Sequence, residues 1–460
     1  MRKTLAITSA KLIKAGGKFF RKQGTALPGL LAEKIDPDLL SKLVKDNFPK
    51  GIIVVTGTNG KTTTSKMIGD CLAMSDISFI RNTAGSNLRR GIIATILAHS
   101  NTKGYCTADM AIFEVDEAYI PIVCNELQPK MIVVTNLFRD QLDRYGELDS
   151  IAKKFSETFK KLQTTLALNA DDPLVASLGR SASNPTLYFG ISDYSGETIE
   201  NDHTADSVFT NVNGEKLHYL QRYFGHIGIY TSKNSDYSRP KPDFDLTKMR
   251  KMSSQSSKFD VKTSTETFSL DLSQPGLYNI YNCLAALTVL SSVGVNYDLI
   301  SDSFTHTEAA FGRGEVLQYN KKSLQLLLIK NPTGFNQIIQ TFLKQKPQTN
   351  PVLICINDNI ADGRDVSWLW DSALEDIKSY SGKIVVSGTR AYDMALRLKY
   401  AGFDVASLNI EPDLKKALRL FTYELKTSET GYVLPTYTAM LSLRELIAGQ
   451  GNNQVKEMSE

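Results

Sequence analysis

Two glycines, a lysine and five threonines lie close together in the stretch 54–64, "VVTGTNGKTTT". A turn that contains Gly57 and Gly60 lets backbone N–H groups approach an anion, and the helix that follows adds positive potential. Lys61 can reach the outer phosphates of a nucleotide, and Thr62 or Thr63 can ligate Mg²⁺. The stretch therefore predicts an ATP-binding phosphate loop; the alternative is a glycine turn with a purely structural role. The predicted loop comprises Gly57, Thr58, Asn59, Gly60, Lys61, Thr62 and Thr63.

The phosphate loop follows the first of several short β-rich apolar runs, which alternate with segments of helical pattern. These runs are "GIIVVTG" (51–57), "MAIFEV" (110–115), "MIVVTNL" (131–137), "TTLALNA" (164–170) and "TLYFG" (186–190). Such an alternation is typical of a parallel sheet built from βαβ units. The loop is thus expected at the carboxyl end of a buried strand.

The alternation stops at 195–265, which we interpret as an insertion, and returns from 323 onward. A second, smaller α/β domain is therefore expected, with a hinge near 305–320. The expected domains are an N-terminal basic helical arm (1–50), a central ATP-binding domain (51–312) and a C-terminal α/β domain (313–460).

The composition is that of an ordinary soluble globular protein, with 460 residues, 42% hydrophobic and 22% charged. A net charge of +4 is too small to indicate nucleic acid as a partner. The five cysteines form no C-x-x-C pair, which favours a reducing compartment. With no signal peptide pattern and no apolar run of membrane-spanning length, we expect a cytoplasmic protein.

Residues 1–24 contain seven basic side chains and no acidic one, with apolar residues between them. One interpretation is a helix packed on the body with solvated lysines. The other is an interfacial helix at the inner face of the plasma membrane, attracted by anionic headgroups.

The spacing G-x-x-G-K-T is shorter than the usual Walker A loop and resembles that of the Mur ligase and folylpolyglutamate synthase superfamily. In "FEVDEA", Glu114 stands where these enzymes carry a glutamate that helps to hold Mg²⁺. The resemblance implies a magnesium site formed by Thr62 and Glu114. Gln141 replaces a histidine that binds a second Mg²⁺ in the superfamily, and an amide is a weaker ligand.

The resemblance also implies residues that contact the nucleotide. Asn279 and Asn282 in "GLYNIYNCLAAL" (276–287) are candidates to face the adenine, and Asn87 is a further candidate. Arg313 in "FGRGE" matches an arginine that reaches the ATP phosphates from the domain junction.

The C-terminal half resembles the MurT family, the synthetase subunits of the MurT–GatD lipid II isoglutaminyl synthases. The matching stretches are "LIKNPTGFNQ" (328–337), "NDNIADGRDVSWLWD" (357–371), "VSGTRAYDMALRLKYAG" (386–402) and "PTYTAML" (435–441). The implied fold is a Mur ligase-like central P-loop ATPase domain plus a Rossmann-like C-terminal domain. The implied reaction is amidation of the D-glutamate α-carboxyl of the lipid II stem peptide through an acyl phosphate, with ATP and Mg²⁺. Lys61 and Glu114 would act in catalysis.

The chain has no recognisable glutaminase motif, so ammonia must come from elsewhere. The resemblance implies a heterodimer with a GatD-like class I glutamine amidotransferase, acting on lipid II at the cytoplasmic face of the membrane. Asp365 matches an aspartate that completes the partner's Cys–His site, although the nearby Asp362 is the other candidate.

Many MurT proteins carry a four-cysteine zinc ribbon within the insertion. Here its four ligand positions hold Thr210, Asn213, Ser232 and Ser235, and none of these is a good Zn²⁺ ligand. We therefore expect no zinc and a β-ribbon held by tyrosine and leucine packing, or by hydrogen bonds among the replacing hydroxyl and amide groups. The histidines 203, 218 and 226 are interpreted as surface residues.

Two alternative functions stay open at this point. The first is a conventional Mur ligase or folylpolyglutamate synthase-like enzyme that adds a whole amino acid. The second is a nucleotide-gated binding module without ligase chemistry.

Overall fold

A computed structural model describes the chain at residues 2–19, 27–82, 86–140, 148–194, 206–210, 214–234, 236–253, 255–344, 346, 349–427 and 429–457. Of these, it describes only the backbone at 14–19, 424 and 450–457.

The strands are β1 Gly51–Thr56, β2 Phe79–Arg81, β3 Met110–Glu114, β4 Met131–Val134, β5 Thr165–Asn169, β6 Thr186–Ile191, β7 His218–Phe224, β8 Ile227–Thr231, β9 Phe244–Met252, β10 Ser257–Lys262, β11 Thr267–Leu272, β12 Arg313–Tyr319, β13 Lys322–Leu327, β14 Val352–Cys355, β15 Ile384–Ser387, β16 Leu408–Ile410 and β17 Thr430–Pro435. The α-helices are α1 Arg2–Phe19, α2 Leu27–Ile35, α3 Leu39–Val44, α4 Lys61–Ala73, α5 Arg89–His99, α6 Ile120–Leu127, α7 Leu148–Phe159, α8 Pro173–Ser181, α9 Leu277–Ser292, α10 Tyr297–His306, α11 Pro332–Ile338, α12 Ala391–Tyr400, α13 Leu414–Glu424 and α14 Tyr437–Glu457.

A nine-stranded sheet in the order β11-β10-β9-β6-β5-β4-β1-β3-β2 forms the centre of the molecule. The strands from β9 to β2 pair in parallel, whereas β10 and β11 add an antiparallel edge. The strands β3 and β4 are buried along their whole length. This explains their continuous apolar sequences, because helices cover both faces of the sheet.

A second sheet has the order β12-β13-β17-β14-β15-β16 and begins at Arg313. Its strands pair in parallel except for β12 with β13. The helix α11 continues as a π-helical turn, Ile339–Leu343, and packs with β14 and β15 in one hydrophobic cluster. The α/β architecture expected from the sequence is confirmed for both halves.

The N-terminal helices pack on α5, so the basic arm is attached to the central sheet. Ala6, Ile7 and Ala10 of α1 are buried. Helix α2 packs closely against α5, because a Cβ on Gly29 would lie 1.9 Å from the carbonyl oxygen of Arg90. Within the described ranges, no helix combines the length and the apolarity that crossing a bilayer requires.

The expected insertion at 195–265 is only partly separate from the central sheet. Both β9 and β10 fall in that range and extend the sheet, so the distinct part is the hairpin of β7 and β8. Tyrosine hydroxyls anchor it, since Tyr223 donates to the Ile191 carbonyl at 2.6 Å and Tyr230 to the Ala170 carbonyl at 3.1 Å. These side-chain hydrogen bonds hold the ribbon on the central sheet.

The interpretation of His226 as a surface residue is wrong. This imidazole is fully buried, lies 4.5 Å from the Phe138 ring, and has its Nε2 atom 3.4 Å from a carboxylate oxygen of Asp172. It follows a turn at Gly225 that carries the hairpin onto the central sheet. His203, Asn213 and Ser235 lie outside the described residues, while Thr210 and Ser232 are buried.

Asp171 joins three elements beneath the hairpin. Its carboxylate accepts hydrogen bonds from Tyr281 of α9 at 2.6 Å and from the Ile191 N–H at 2.8 Å, and it pairs with Arg239 at 2.5 Å. Burial raises the pKa of this carboxyl, although Arg239 opposes the shift. Removing one member would leave the other charge buried and unpaired.

We therefore expect Asp171→Ala to lower the free energy of unfolding by about 3 kcal/mol or more. Asp271→Ala is the matched control, because Asp271 and Lys258 are about half exposed and such pairs contribute at most about 1 kcal/mol. Chemical denaturation followed by circular dichroism measures both. Equal shifts in the two variants would contradict the assigned role of Asp171.

The hairpin gives a second expectation. A structural zinc ion contributes on the order of 10 kcal/mol to folding, and the residues at the four ribbon positions offer no thiolate for it. Purified, tag-free protein should contain no stoichiometric zinc by elemental analysis, and a chelator should leave its unfolding midpoint unchanged. One zinc per chain would overturn this interpretation of Thr210, Asn213, Ser232 and Ser235.

Candidate active site

The phosphate loop, residues 57–63, connects β1 to α4 in a conformation that requires glycine. Gly57 and Gly60 have φ values of +122° and +91°. A Cβ on Gly60 would lie 2.1 Å from the side-chain oxygen of Asn282. The first intrahelical bond of α4 runs from the Thr64 N–H to the Gly60 carbonyl, so the N–H groups of the first helical turn, Lys61 to Thr63, are available to an anion.

A neighbouring segment, residues 135–140, holds the loop in shape. The Asn59 N–H donates to the side-chain oxygen of Asn136 at 2.9 Å, and the Thr58 N–H donates to the Asn136 carbonyl at 2.9 Å. The Thr58 hydroxyl accepts from the Phe138 N–H at 2.9 Å. These bonds fix the loop before any ligand arrives.

Lys61 is buried with its ammonium group among carboxylates. It donates to the Gly57 carbonyl and to Glu117 at 3.1 Å. Burial lowers the pKa of Lys61, but the attraction of Glu117, Asp116 and Glu114 outweighs it and holds the pKa above its usual value. Burial likewise acts against ionisation of Glu117, yet Lys61 and Lys330 hold the pKa of that carboxyl below its usual value. Both groups are therefore charged at neutral pH.

Thr62 and Glu114 meet at the end of β3, as the resemblance implied. The Thr62 hydroxyl donates to Glu114 at 2.8 Å, and Asn82 bonds the Glu114 backbone on both its N–H and its carbonyl at 2.9 Å. A hydroxyl and a carboxylate are hard oxygen donors that suit Mg²⁺. Among the described residues no three acidic, histidine or cysteine side chains converge as a metal site, so phosphate oxygens and water would complete the coordination.

The candidate adenine residues behave differently from one another. Asn279 is buried and donates to the Pro275 carbonyl at 2.8 Å, while Asn282 donates to Asn279 at 3.2 Å and lies against Gly60. Asn282 therefore supports the phosphate loop from α9, and Asn279 holds the amide of Asn282 in place. Asn87 lines the same cavity as Asn282, and its carbonyl accepts from the Asp116 N–H.

The C-terminal half contributes a second lysine beside the loop. Lys330 donates to the Thr58 carbonyl at 3.0 Å and pairs with Asp140 at 2.6 Å. The side chains of Asn331 and Asn59 approach one another at 3.2 Å. Gln141, the residue at the place of the second-metal ligand, lies outside the described residues.

A cavity of about 550 Å³ lies between the two halves and is lined by both. Arg313 lines it and makes no side-chain hydrogen bond to any residue that the structure describes. Burial lowers the pKa of its guanidinium, which Glu114 and Tyr437 partly oppose. An arginine always stays charged, so this group is free to bind an anionic ligand. The cavity lining includes Thr58, Asn59, Gly60, Lys61, Thr62, Thr63, Asn87, Glu114, Glu117, Asn282, Arg313, Lys330 and Asp362.

The structure separates Asp362 from Asp365. Asp362 is buried at the cavity wall and accepts from the N–H and the hydroxyl of Thr438 at 2.7 and 2.5 Å. Asp365 is exposed and accepts from the Ser367 N–H at 2.8 Å, and this hydrogen bond lowers the pKa of its carboxyl. Only Asp365 presents its carboxylate to the surface, outside the cavity.

The loop, Glu114 and Arg313, which the sequence proposes as site residues, line one cavity. Other residues at this cavity were not predicted. Glu117 lies three residues after Glu114 in "FEVDEA", so an acidic residue so close to a predicted metal ligand was a usable signal. Lys330 and Asp140 are 190 residues apart, and nothing in either segment indicates that they form a pair.

Comparison with known proteins gives consistent results across the chain. Residues 55–235 match the Mur ligase middle domain family, and residues 328–440 match the MurT ligase C-terminal family. The chain is 34% identical to the lipid II isoglutaminyl synthase (glutamine-hydrolyzing) subunit MurT of Staphylococcus aureus (strain COL), over 97% of this chain and 98% of that protein. It is 33% identical to the subunit of the same name from Streptococcus pneumoniae (strain ATCC BAA-255 / R6), over 93% of each.

Among solved structures, the fold resembles a pseudomurein peptide ligase type C from Methanothermus fervidus. The TM-score is 0.67 with 19% identity, over 89% of this chain and 81% of that chain. This likeness confirms the Mur ligase fold.

We expect Lys61→Ala to reduce nucleotide turnover by a factor on the order of 10² to 10³, because the loop loses the charge that faces a transferring phosphoryl group. Lys66→Ala, on the same helix one turn further and paired with Asp70, should keep wild-type turnover. ATP hydrolysis or phosphate release measures both, with circular dichroism as a check on folding. Unchanged turnover in a folded Lys61→Ala protein would exclude this loop as the phosphate site.

Proposed function

The chain belongs to the MurT family, and from that membership we propose that it is the synthetase subunit of a lipid II isoglutaminyl synthase. It amidates the D-glutamate α-carboxyl of the lipid II stem peptide to D-isoglutamine, using ATP. The observation that carries the proposal is the likeness to MurT subunits, which extends through both the phosphate loop and the C-terminal half.

A carboxylate is a poor acyl donor and must first be activated. Its oxygen attacks the γ-phosphorus of ATP, which releases ADP and leaves an acyl phosphate. Ammonia then attacks the acyl carbon and phosphate departs, which gives the primary amide. Lys61 and Arg313 both line the cavity. They would supply positive charge where negative charge develops on the transferring phosphoryl oxygens.

Mg²⁺ fits the hydroxyl of Thr62 and the carboxylate of Glu114. When bound, it would neutralise charge on the phosphate oxygens. The bonds from Asn82 to the backbone of Glu114 fix the strand end on which this carboxylate lies. Glu117 pairs with Lys61 and holds the ammonium beside the loop until phosphates compete for it.

Ammonia would come from a GatD-like class I glutamine amidotransferase bound to the C-terminal half. Asp365 is the carboxylate available to such a partner, because Asp362 is engaged by Thr438. Near Asp365 in the chain, Trp370 is 50% exposed and contacts Tyr400 of α12 at a ring distance of 5.6 Å. Tyr392 and Tyr400, two turns apart on α12, are 67% and 70% exposed. Exposed tryptophan and tyrosine are enriched at protein interfaces.

We expect Asp365→Asn to preserve amidation driven by free ammonia and to reduce amidation driven by glutamine, because the neutral amide cannot orient a protonated histidine of the partner. The measurement is isoglutamine formation from the lipid-linked substrate with each nitrogen source, in the presence of the partner. Asp371→Asn, at an exposed carboxylate six residues further, is the matched control. An equal loss with both nitrogen sources would place Asp365 in the synthetase reaction or in folding.

A further inference from the structure

The first 24 residues carry a positive charge that the rest of the chain does not share. Seven of the 53 basic residues and none of the 49 acidic residues lie within positions 1–24, so the remaining chain has a net charge of −3 against +7 for this segment. A strongly basic segment on a weakly acidic body favours contact with an anionic surface.

The described part of α1 is tied to the body through lysines, while leucines face outward. Lys3 donates to the Lys42 carbonyl at 3.2 Å and lies 3.4 Å from Asp46, and Lys11 donates to the Ser100 carbonyl. Leu5 and Leu12, seven residues apart on the same side of the helix, are 60% and 67% exposed. The described part of α1 is therefore packed on the body as one interpretation expected, but Lys3 and Lys11 are bonded to that body instead of being fully solvated.

We propose that this outward face of α1 docks the protein on an anionic lipid bilayer, with Leu5 and Leu12 inserted among the headgroups. A phosphate backbone offers no apolar surface to two exposed leucines, whereas an interfacial helix combines apolar residues with basic ones. This inference rests on the proposed function, because docking on a membrane would bring the enzyme to lipid II, which is anchored there. An enzyme that is bound to the membrane diffuses along the same surface as a membrane-anchored substrate, and it therefore meets that substrate more often.

The arm is also connected to the cavity. Arg89 at the start of α5 pairs with Glu126 and with Glu33 of α2, both at 2.7 Å or less. The residues before it, Asn87 and Leu88, line the cavity. A bilayer bound at α1 would therefore be held by packed helices at a fixed distance from the site where the substrate carboxylate must enter.

The test is co-sedimentation of the full chain with vesicles of phosphatidylcholine, with and without phosphatidylglycerol. The wild-type protein should bind the anionic vesicles preferentially, and binding should fall as salt is added. Leu5→Gln combined with Leu12→Gln should weaken binding on the order of tenfold, because partial burial of two leucines is lost. Glutamine keeps the helix propensity of leucine, so folding should not change.

The matched control combines Leu220→Gln with Leu420→Gln, at two leucines that are 75% and 45% exposed elsewhere on the surface. This variant should bind vesicles like the wild type. Equal binding by both double variants, or equal binding to neutral and anionic vesicles, would overturn the proposal. Binding to a DNA duplex without binding to vesicles would also overturn it and assign the basic arm to nucleic acid.

A parallel assay separates this inference from the proposed function. With the lipid-linked substrate dispersed in detergent and ammonia supplied, the Leu5 and Leu12 variant should amidate as fast as the wild type; with substrate embedded in vesicles it should be several-fold slower. Absence of amidation by the wild-type protein in detergent would contradict the proposed function and leave the vesicle result intact. Equal rates of both proteins on vesicles would contradict a role of docking in substrate access.

Discussion

The buried positive charge of Lys61 is the constraint on which the active site depends. An ammonium group away from water must be paired and hydrogen bonded, and here Glu117 and the Gly57 carbonyl do so. This requires β1 and β3 to be neighbours, because the loop follows one strand and the carboxylates follow the other. The order of the central sheet and the charge balance of the site are therefore parts of one arrangement.

The contact between the two halves uses groups of the loop that a nucleotide does not need. Lys330 bonds the carbonyl of Thr58, whereas an anion is bound by N–H groups. Asp140 neutralises Lys330 and at the same time extends the segment that shapes the loop. The C-terminal half can thus stay attached while phosphates enter, and its Arg313 reaches the same cavity from another strand. Positively charged side chains from both halves therefore line the same cavity.

The sequence predicted those features of the fold and the candidate site that depend on residues close together in the chain. The phosphate loop, the alternation of strands and helices, and Glu114 at a strand end could be predicted because each depends on a few consecutive residues. Pairs formed across the fold could not, as Lys330 with Asp140 or Asp171 with Arg239 illustrate. The strands β9 and β10 were assigned to an insertion because their polar residues, such as Lys248 and Lys251, mask the pattern of a sheet edge that is exposed on one side.

His226 shows why a sequence pattern can misplace a polar residue. In a polar segment an imidazole is expected in solvent, but the turn at Gly225 carries this one onto Phe138 and next to Asp172. Asp172 also accepts from the Leu137 N–H at 2.9 Å and from two N–H groups at the start of α8. Phe138 in turn bonds Thr58 of the phosphate loop. The hairpin that lacks ribbon cysteines is therefore connected, through one buried ring and one carboxylate, to the candidate phosphate loop. Its tyrosine anchors hold this contact in place through hydrogen bonds to the backbone of the central domain.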